Sequence, residues 1–129
     1  MRNGLILAAA FCGLLQAAPL WADECVDAME QFTLNQCAAD DYAREDKRLN
    51  QLYGEYRKTL DEPQKQQLKA VQLAWIKFRD LACSFESASL EGGSAYPMQL
   101  NACLAQKTAA RIKELEQLAS CEEGDLSCP

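Results

Sequence analysis

The chain has 129 residues, 49% hydrophobic and 25% charged, a globular balance that argues against disorder and leaves room for one domain. It contains no histidine, which excludes Ser-His-Asp and Cys-His catalysis, histidine-ligated zinc or haem, and any imidazole pH switch. A formal net charge of -6 and an isoelectric point near 4.6 set it against phosphate backbones and anionic lipid and favour cationic partners, so no nucleic-acid binding is expected.

The first element is a leader. Arg2, the apolar run 5–15 and the small residues Ala17, Ala18 and Ala22 read as a signal peptide over residues 1–22, cleaved before Asp23, although Leu20 fits the third position back imperfectly. The run is shorter than the ~20 apolar residues a spanning helix needs, so no stable membrane insertion is expected once it is removed. Cys12 follows the bulky Phe11, which disfavours lipidation. Loss of Arg2, with no acid beside it, takes the charge to -7, and loss of Cys12 turns seven cysteines into six. Cys25, Cys37, Cys83, Cys103, Cys121 and Cys128 are then expected to form disulfides in a periplasmic or secreted protein.

A short helical or irregular segment is expected before Cys37. Beyond it, Tyr42, Leu49, Tyr53, Tyr56 and Leu60 form one helical stripe, with Asp46 at a stripe position. Asp61-Glu62-Pro63 stops that helix and starts the next, because an acid suits a helix N-terminus and proline tolerates the first turn. Between Pro63 and Glu86 the apolar steps are Leu68, Val71, Trp75, Phe78, Ala82 and Phe85. Residues 90–97, with Gly92-Gly93, form the one clear loop. The third stripe is Leu100, Leu104, Thr108, Arg111, Leu115 and Leu118, with a charge again in the seam. No stretch alternates with period two. The expected fold is all-α: an antiparallel bundle of three main helices stapled by up to three disulfides, forming one domain over residues 23–129 with a short disulfide-closed tail.

Reflecting residues about each turn gives their heights, at ~1.5 Å rise per residue. Cys37 and Cys103 then both fall near Cys83, while Asp46 and Arg111 both fall near Trp75. The favoured disulfides are Cys83–Cys103, Cys25–Cys37 and Cys121–Cys128, with Cys37–Cys83 plus Cys25–Cys103 as the competing scheme. Asp46 is expected to pair with Arg111 beside Trp75, since a charge in an apolar stripe needs a partner. Arg79-Asp80 reads as a surface or inter-helix ion pair. These four residues, Asp46, Trp75, Arg79 and Arg111, are therefore assigned to the structural core rather than to catalysis.

Carboxylates are plentiful, yet no two are singled out as an acid/base pair. The tail from Cys121 to Cys128 lacks EF-hand ligand spacing, and there is no phosphate-binding glycine motif. No metal, no cofactor and no enzymatic activity are expected. The loop is the candidate partner-binding segment: Glu91, Gly92, Gly93, Ser94 and Tyr96 combine an acid, two glycines, a hydroxyl and an aromatic at one bundle end. A disulfide brace there would lower the ordering cost of binding.

Several spaced motifs together resemble the LprI-like lysozyme inhibitor N-terminal domain family. They are Cys25…Cys37, Asp46-x-x-Leu49-Asn50-x-x-Tyr53, Gln72-x-x-Trp75-x-x-x-Arg79-Asp80-x-x-Cys83, Gly92-Gly93-Ser94 and Cys103-x-x-x-x-Thr108-x-x-Arg111-x-x-x-Leu115. The resemblance covers nearly all of residues 25–119 and is specific as a combination. It implies a secreted, disulfide-bonded helical domain whose partner is a lysozyme or another cationic cell-wall hydrolase, bound and inhibited as a protein. It transfers no inhibitory residue set. The alternative is a structural or adaptor module of the cell envelope that binds protein without inhibiting anything.

Overall fold

The computed structural model describes residues 25–122, 124–126 and 128–129; the expected signal peptide over 1–22 lies outside the described residues. The described residues form three long α-helices, α1 (Gln31–Thr59), α2 (Glu62–Ser87) and α3 (Tyr96–Ala119), with a 3₁₀ turn at Ala88–Leu90 after α2. The all-α bundle expected from periodicity is the fold present. The first helix reaches further back than expected: α1 begins at Gln31 and carries Cys37 within it.

Local chemistry sets the ends. Arg57 and Lys58 lie in the last turn of α1, where cations complement the carbonyl end of the helix dipole. Leu60 and Asp61 are then extended. Asp61 caps α2 by a reciprocal box: its carboxylate accepts the Gln64 backbone N–H at 2.9 Å, and Gln64 Oε1 accepts the Asp61 N–H at 3.1 Å. Pro63 sits in the first turn of α2, as the Asp61-Glu62-Pro63 signal implies. A hydrogen bond from Gln66, with Lys65 nearby, holds the Glu62 carboxyl below its ordinary range.

The closest packing is between α1 and α3, and α2 lies against α3. Leu49 and Tyr56 of α1, Leu68 of α2, and Ile112 and Leu115 of α3 make the buried cluster, with Leu52, Tyr53, Leu60, Trp75 and Leu118 packed around it. Each buried leucine or isoleucine of that cluster contributes about 1.5–3 kcal/mol.

The expected face of α2 is corrected. Its buried residues are Leu68, Gln72, Arg79, Cys83 and Ser87. Val71, Phe78 and Phe85, expected in the core stripe, are 52%, 61% and 83% exposed. Disulfide geometry explains the rotation. Cys83 must face α3 to reach Cys103, and Phe85, two residues on and about 200° round the helix, is thereby turned outward.

The cysteines pair as Cys25–Cys37, Cys83–Cys103 and Cys121–Cys128, with Cα separations of 5.8, 5.6 and 5.6 Å. The competing scheme is thereby excluded. Among the described residues no helix is long and apolar enough to cross a membrane.

The charged layer is also corrected. Asp46 does not pair with Arg111; it accepts from Arg79 Nη1 at 3.4 Å. Arg79 lies one turn beyond Trp75 on α2, and its long side chain reaches back to Asp46 while also meeting Asp80 at 2.9 Å and Thr108 Oγ1 at 3.3 Å. Arg111 instead donates through Nε to Gln72 Oε1 at 3.1 Å and through Nη1 to Glu114 at 2.8 Å. Trp75 does sit beside both cations, 5.2 Å from the Arg79 guanidinium and 5.8 Å from that of Arg111. Reflection about a turn supplied the height of these groups but not their direction around each helix. Burial pushes the Tyr42 phenol above its ordinary value, opposed by the Arg79 guanidinium 5.3 Å from its ring.

Candidate functional site

The segment that joins α2 to α3 is a run of tight turns rather than an open loop. The Glu91 N–H donates to Ala88 O, the Gly93 N–H to Leu90 O at 2.9 Å and the Tyr96 N–H to Gly93 O at 3.2 Å. Gly92 adopts φ of 79°, a left-handed conformation that side-chain-bearing residues rarely accept. A Cβ on Gly93 would stand 3.1 Å from the Leu90 carbonyl oxygen, tighter than most real contacts. Both glycines are thus used by the turn itself.

Two braces hold this end. Cys83–Cys103 ties α2 to α3 one to two turns below the tip. From the start of α1, Asn35 Nδ2 donates to the Ser94 carbonyl at 3.0 Å, and Gln31 Nε2 donates to Asn35 Oδ1 at 2.9 Å. Gln31 also lies 3.7 Å from the Met98 sulfur. Asn35 and Gln31 are contributors that the sequence reading missed, because nothing in their spacing signals a contact some 60 residues away.

Of the residues singled out from sequence, Glu91, Gly92, Gly93 and Ser94 are exposed, whereas Tyr96 is half-buried as the first residue of α3. They share one bundle end with Leu90 and with the exposed Met29 and Phe32 of the α1 end. Asp46, Trp75, Arg79 and Arg111 lie along the body of the bundle and do not join the tip. Arg79 and Arg111 are buried, Trp75 is half-buried, and the Asp46 side chain is 40% exposed. Among the described residues there is no cluster of three or more side chains suited to hold a metal ion.

A second surface follows from the rotation of α2. Val71, Ala74, Phe78, Leu81 and Phe85 are exposed at steps of three and four, so the helix carries an apolar stripe on its outer side. Contiguous exposed apolar area of this kind marks protein-binding surfaces. Its spacing was visible in the sequence; what was missing was the knowledge that Cys83 points inward.

The chain matches the lysozyme inhibitor LprI family over residues 22–115. It belongs to that family. The matched region includes α1, α2, the turns at 88–95, most of α3 and the two disulfides Cys25–Cys37 and Cys83–Cys103. The Cys121–Cys128 tail lies beyond it. An uncharacterised protein of Rhizobium meliloti (strain 1021) is 33% identical over 113 residues, covering 78% of this chain and 81% of the relative. No solved structure matches the chain.

Proposed function

We propose that the mature chain, released before Asp23, acts in the periplasm or outside the cell as a protein inhibitor of a lysozyme-type muramidase. Membership of the lysozyme inhibitor LprI family carries this reading. Three further features support it. The disulfides suit an oxidising compartment. The net negative charge favours encounter with a cationic enzyme. The tip is exposed at 91–94 yet held in place from two sides, which limits the ordering cost of docking.

In this reading Glu91 and Ser94 make polar contacts with the enzyme, Tyr96 supplies aromatic surface, and Gly92 and Gly93 keep the tip narrow enough to approach a cleft. Replacing Glu91 and Ser94 by Ala tests the assignment, because both side chains are exposed and neither holds the fold. The double variant should inhibit at least tenfold more weakly with an unchanged unfolding midpoint. Equal inhibition by variant and parent would move the contact elsewhere on the surface.

The outer stripe of α2 favours a second reading, an envelope adaptor that binds protein through Phe78, Leu81 and Phe85 without inhibiting an enzyme. Replacing Phe78 and Phe85 by Ser separates the two: an inhibitor that works through its tip keeps full activity.

A further inference from the structure

On α2 the face through Leu68, Arg79 and Cys83 is buried against the bundle. About 150° round the helix, Val71, Ala74, Phe78, Leu81, Phe85 and Ala88 are all exposed. Ala88 prolongs the stripe because its backbone stays right-handed helical, with φ of -58° and ψ of -33°. Steps of three and four alternate along the stripe without exception, and none of the six residues is charged. Such a 3.5-residue spacing keeps one continuous edge facing a neighbouring helix, whereas a solvated face carries polar and charged residues.

The order of side-chain sizes fits a second copy of the same stripe. When two α2 helices run antiparallel about a two-fold axis between residues 79 and 80, positions equally far from the axis meet. Val71 of one copy then meets Ala88 of the other, Ala74 meets Phe85, and Phe78 meets Leu81. Small residues thus receive large ones in the outer layers, and every apolar position of the stripe is used. A parallel pair would set Phe78 on Phe78 and Phe85 on Phe85 and leave Ala74 facing Ala74, crowding two layers and hollowing a third.

The area is sufficient. Phe78 and Phe85 are 61% and 83% exposed, so at about 200 Å² apiece they alone offer roughly 290 Å². Val71 and Leu81, 52% and 61% exposed, together with the two alanines bring the stripe to roughly 500 Å² per chain, or about 1,000 Å² across a pair, the lower bound for specific association. A cationic enzyme would be matched by acids, and the stripe has none, whereas a second copy needs only the apolar fit. We propose that α2 is a self-association surface, joining two copies of this chain through their antiparallel outer stripes in a reversible dimer. The antiparallel arrangement sends the two tips to opposite ends, so both stay free and the dimer is independent of the inhibitory reading.

Sedimentation equilibrium of the disulfide-intact mature chain, from the low to the high micromolar range, tests this. A reversible monomer–dimer equilibrium is expected, strengthened by added salt, which screens the repulsion between two acidic chains. Phe78→Lys and Leu81→Asp each put a charge into the central layer at a side chain that is 61% exposed. Each variant should keep the helical content and dilute-solution unfolding midpoint of the parent while dimerising at least tenfold more weakly. Mixed in equal amounts, the two variants should associate again, because position 78 of one copy meets position 81 of the other with opposite charge. Parallel pairing gives no such rescue. A parent chain that is monomeric at every concentration, a dimer unaffected by either substitution, or variants that stay monomeric when mixed would each overturn the proposal. So would a monomeric parent that binds lysozyme and loses that binding in Phe78→Lys, because the stripe would then belong to the enzyme contact.

Discussion

Asp46 has two candidate cationic partners along the bundle, and the structure selects one. Its carboxylate stands 3.4 Å from Arg79 Nη1, while Arg111 is engaged with Gln72 and Glu114. A double-mutant cycle of Asp46→Ala with Arg79→Met measures that choice. At 3.4 Å and an effective dielectric of about 20 the gross Coulomb attraction is about 5 kcal/mol. Two effects reduce it. The Asp46 side chain is 40% exposed and regains water when its partner is lost, whereas that of Arg79 is 6% exposed and carries most of the desolvation cost. Asp80 also shares the guanidinium at 2.9 Å, so removing Asp46 does not strand the charge. The expected coupling is therefore about 1–2 kcal/mol, between the values for surface pairs and for fully buried ones. Urea unfolding of the oxidised protein, followed by circular dichroism, supplies the four free energies. The matching cycle of Asp46→Ala with Arg111→Met should be additive to within about 0.5 kcal/mol. Coupling in the Arg111 cycle, or none in the Arg79 cycle, would refute the assignment of the layer.

Phe78→Ser should change stability by no more than about 0.5 kcal/mol, because the side chain is 61% exposed, whereas Leu115→Ala in the buried cluster should cost about 2–5 kcal/mol; chemical denaturation of both variants compares the two faces directly. Replacing Cys83 and Cys103 together by Ala should lower stability by roughly 3 kcal/mol, the contribution expected for a crosslink spanning 20 residues, and a loss below 1 kcal/mol would mean that the bridge does not brace the tip. Alkaline unfolding should involve Tyr42. Its folded pKa is raised by burial, so its contribution to stability is complete below the unfolded value of 10.0 and is lost as pH rises through the folded value; Tyr42→Phe should remove that component from the stability profile above pH 10.

The fold was legible because the signals for it are local. The stripe through Leu49, Tyr53 and Tyr56, the cap at Asp61 with Pro63, and the paired glycines before α3 each act within a few residues of themselves. Heights brought both Cys37 and Cys103 near Cys83 and left two disulfide schemes open; the direction in which Cys83 faces selects Cys83–Cys103. Direction around the helix axis was the illegible part. α2 carries two apolar stripes, Leu68-Trp75-Ala82 and Val71-Phe78-Phe85, and periodicity gives no reason to bury one of them rather than the other. The choice is made by groups on other helices: Cys103 draws Cys83 inward, Asp46 and Thr108 receive Arg79, and Arg111 takes Gln72. The same distinction applies at the tip. The glycine pair marked it in sequence, but the brace from Asn35 and the anchoring of Tyr96 depend on contacts that no spacing encodes.

An inhibition titration decides whether this member of the lysozyme inhibitor LprI family acts on a muramidase. Purified mature protein, with its disulfides intact, is added in increasing amounts to lysozymes of several structural classes while cell-wall lysis is followed. Saturable inhibition of at least one class is expected, with association slowed by added salt far more than dissociation is hastened, because long-range charge acts on the encounter. Full lytic activity of every class at a large molar excess of the protein would contradict it.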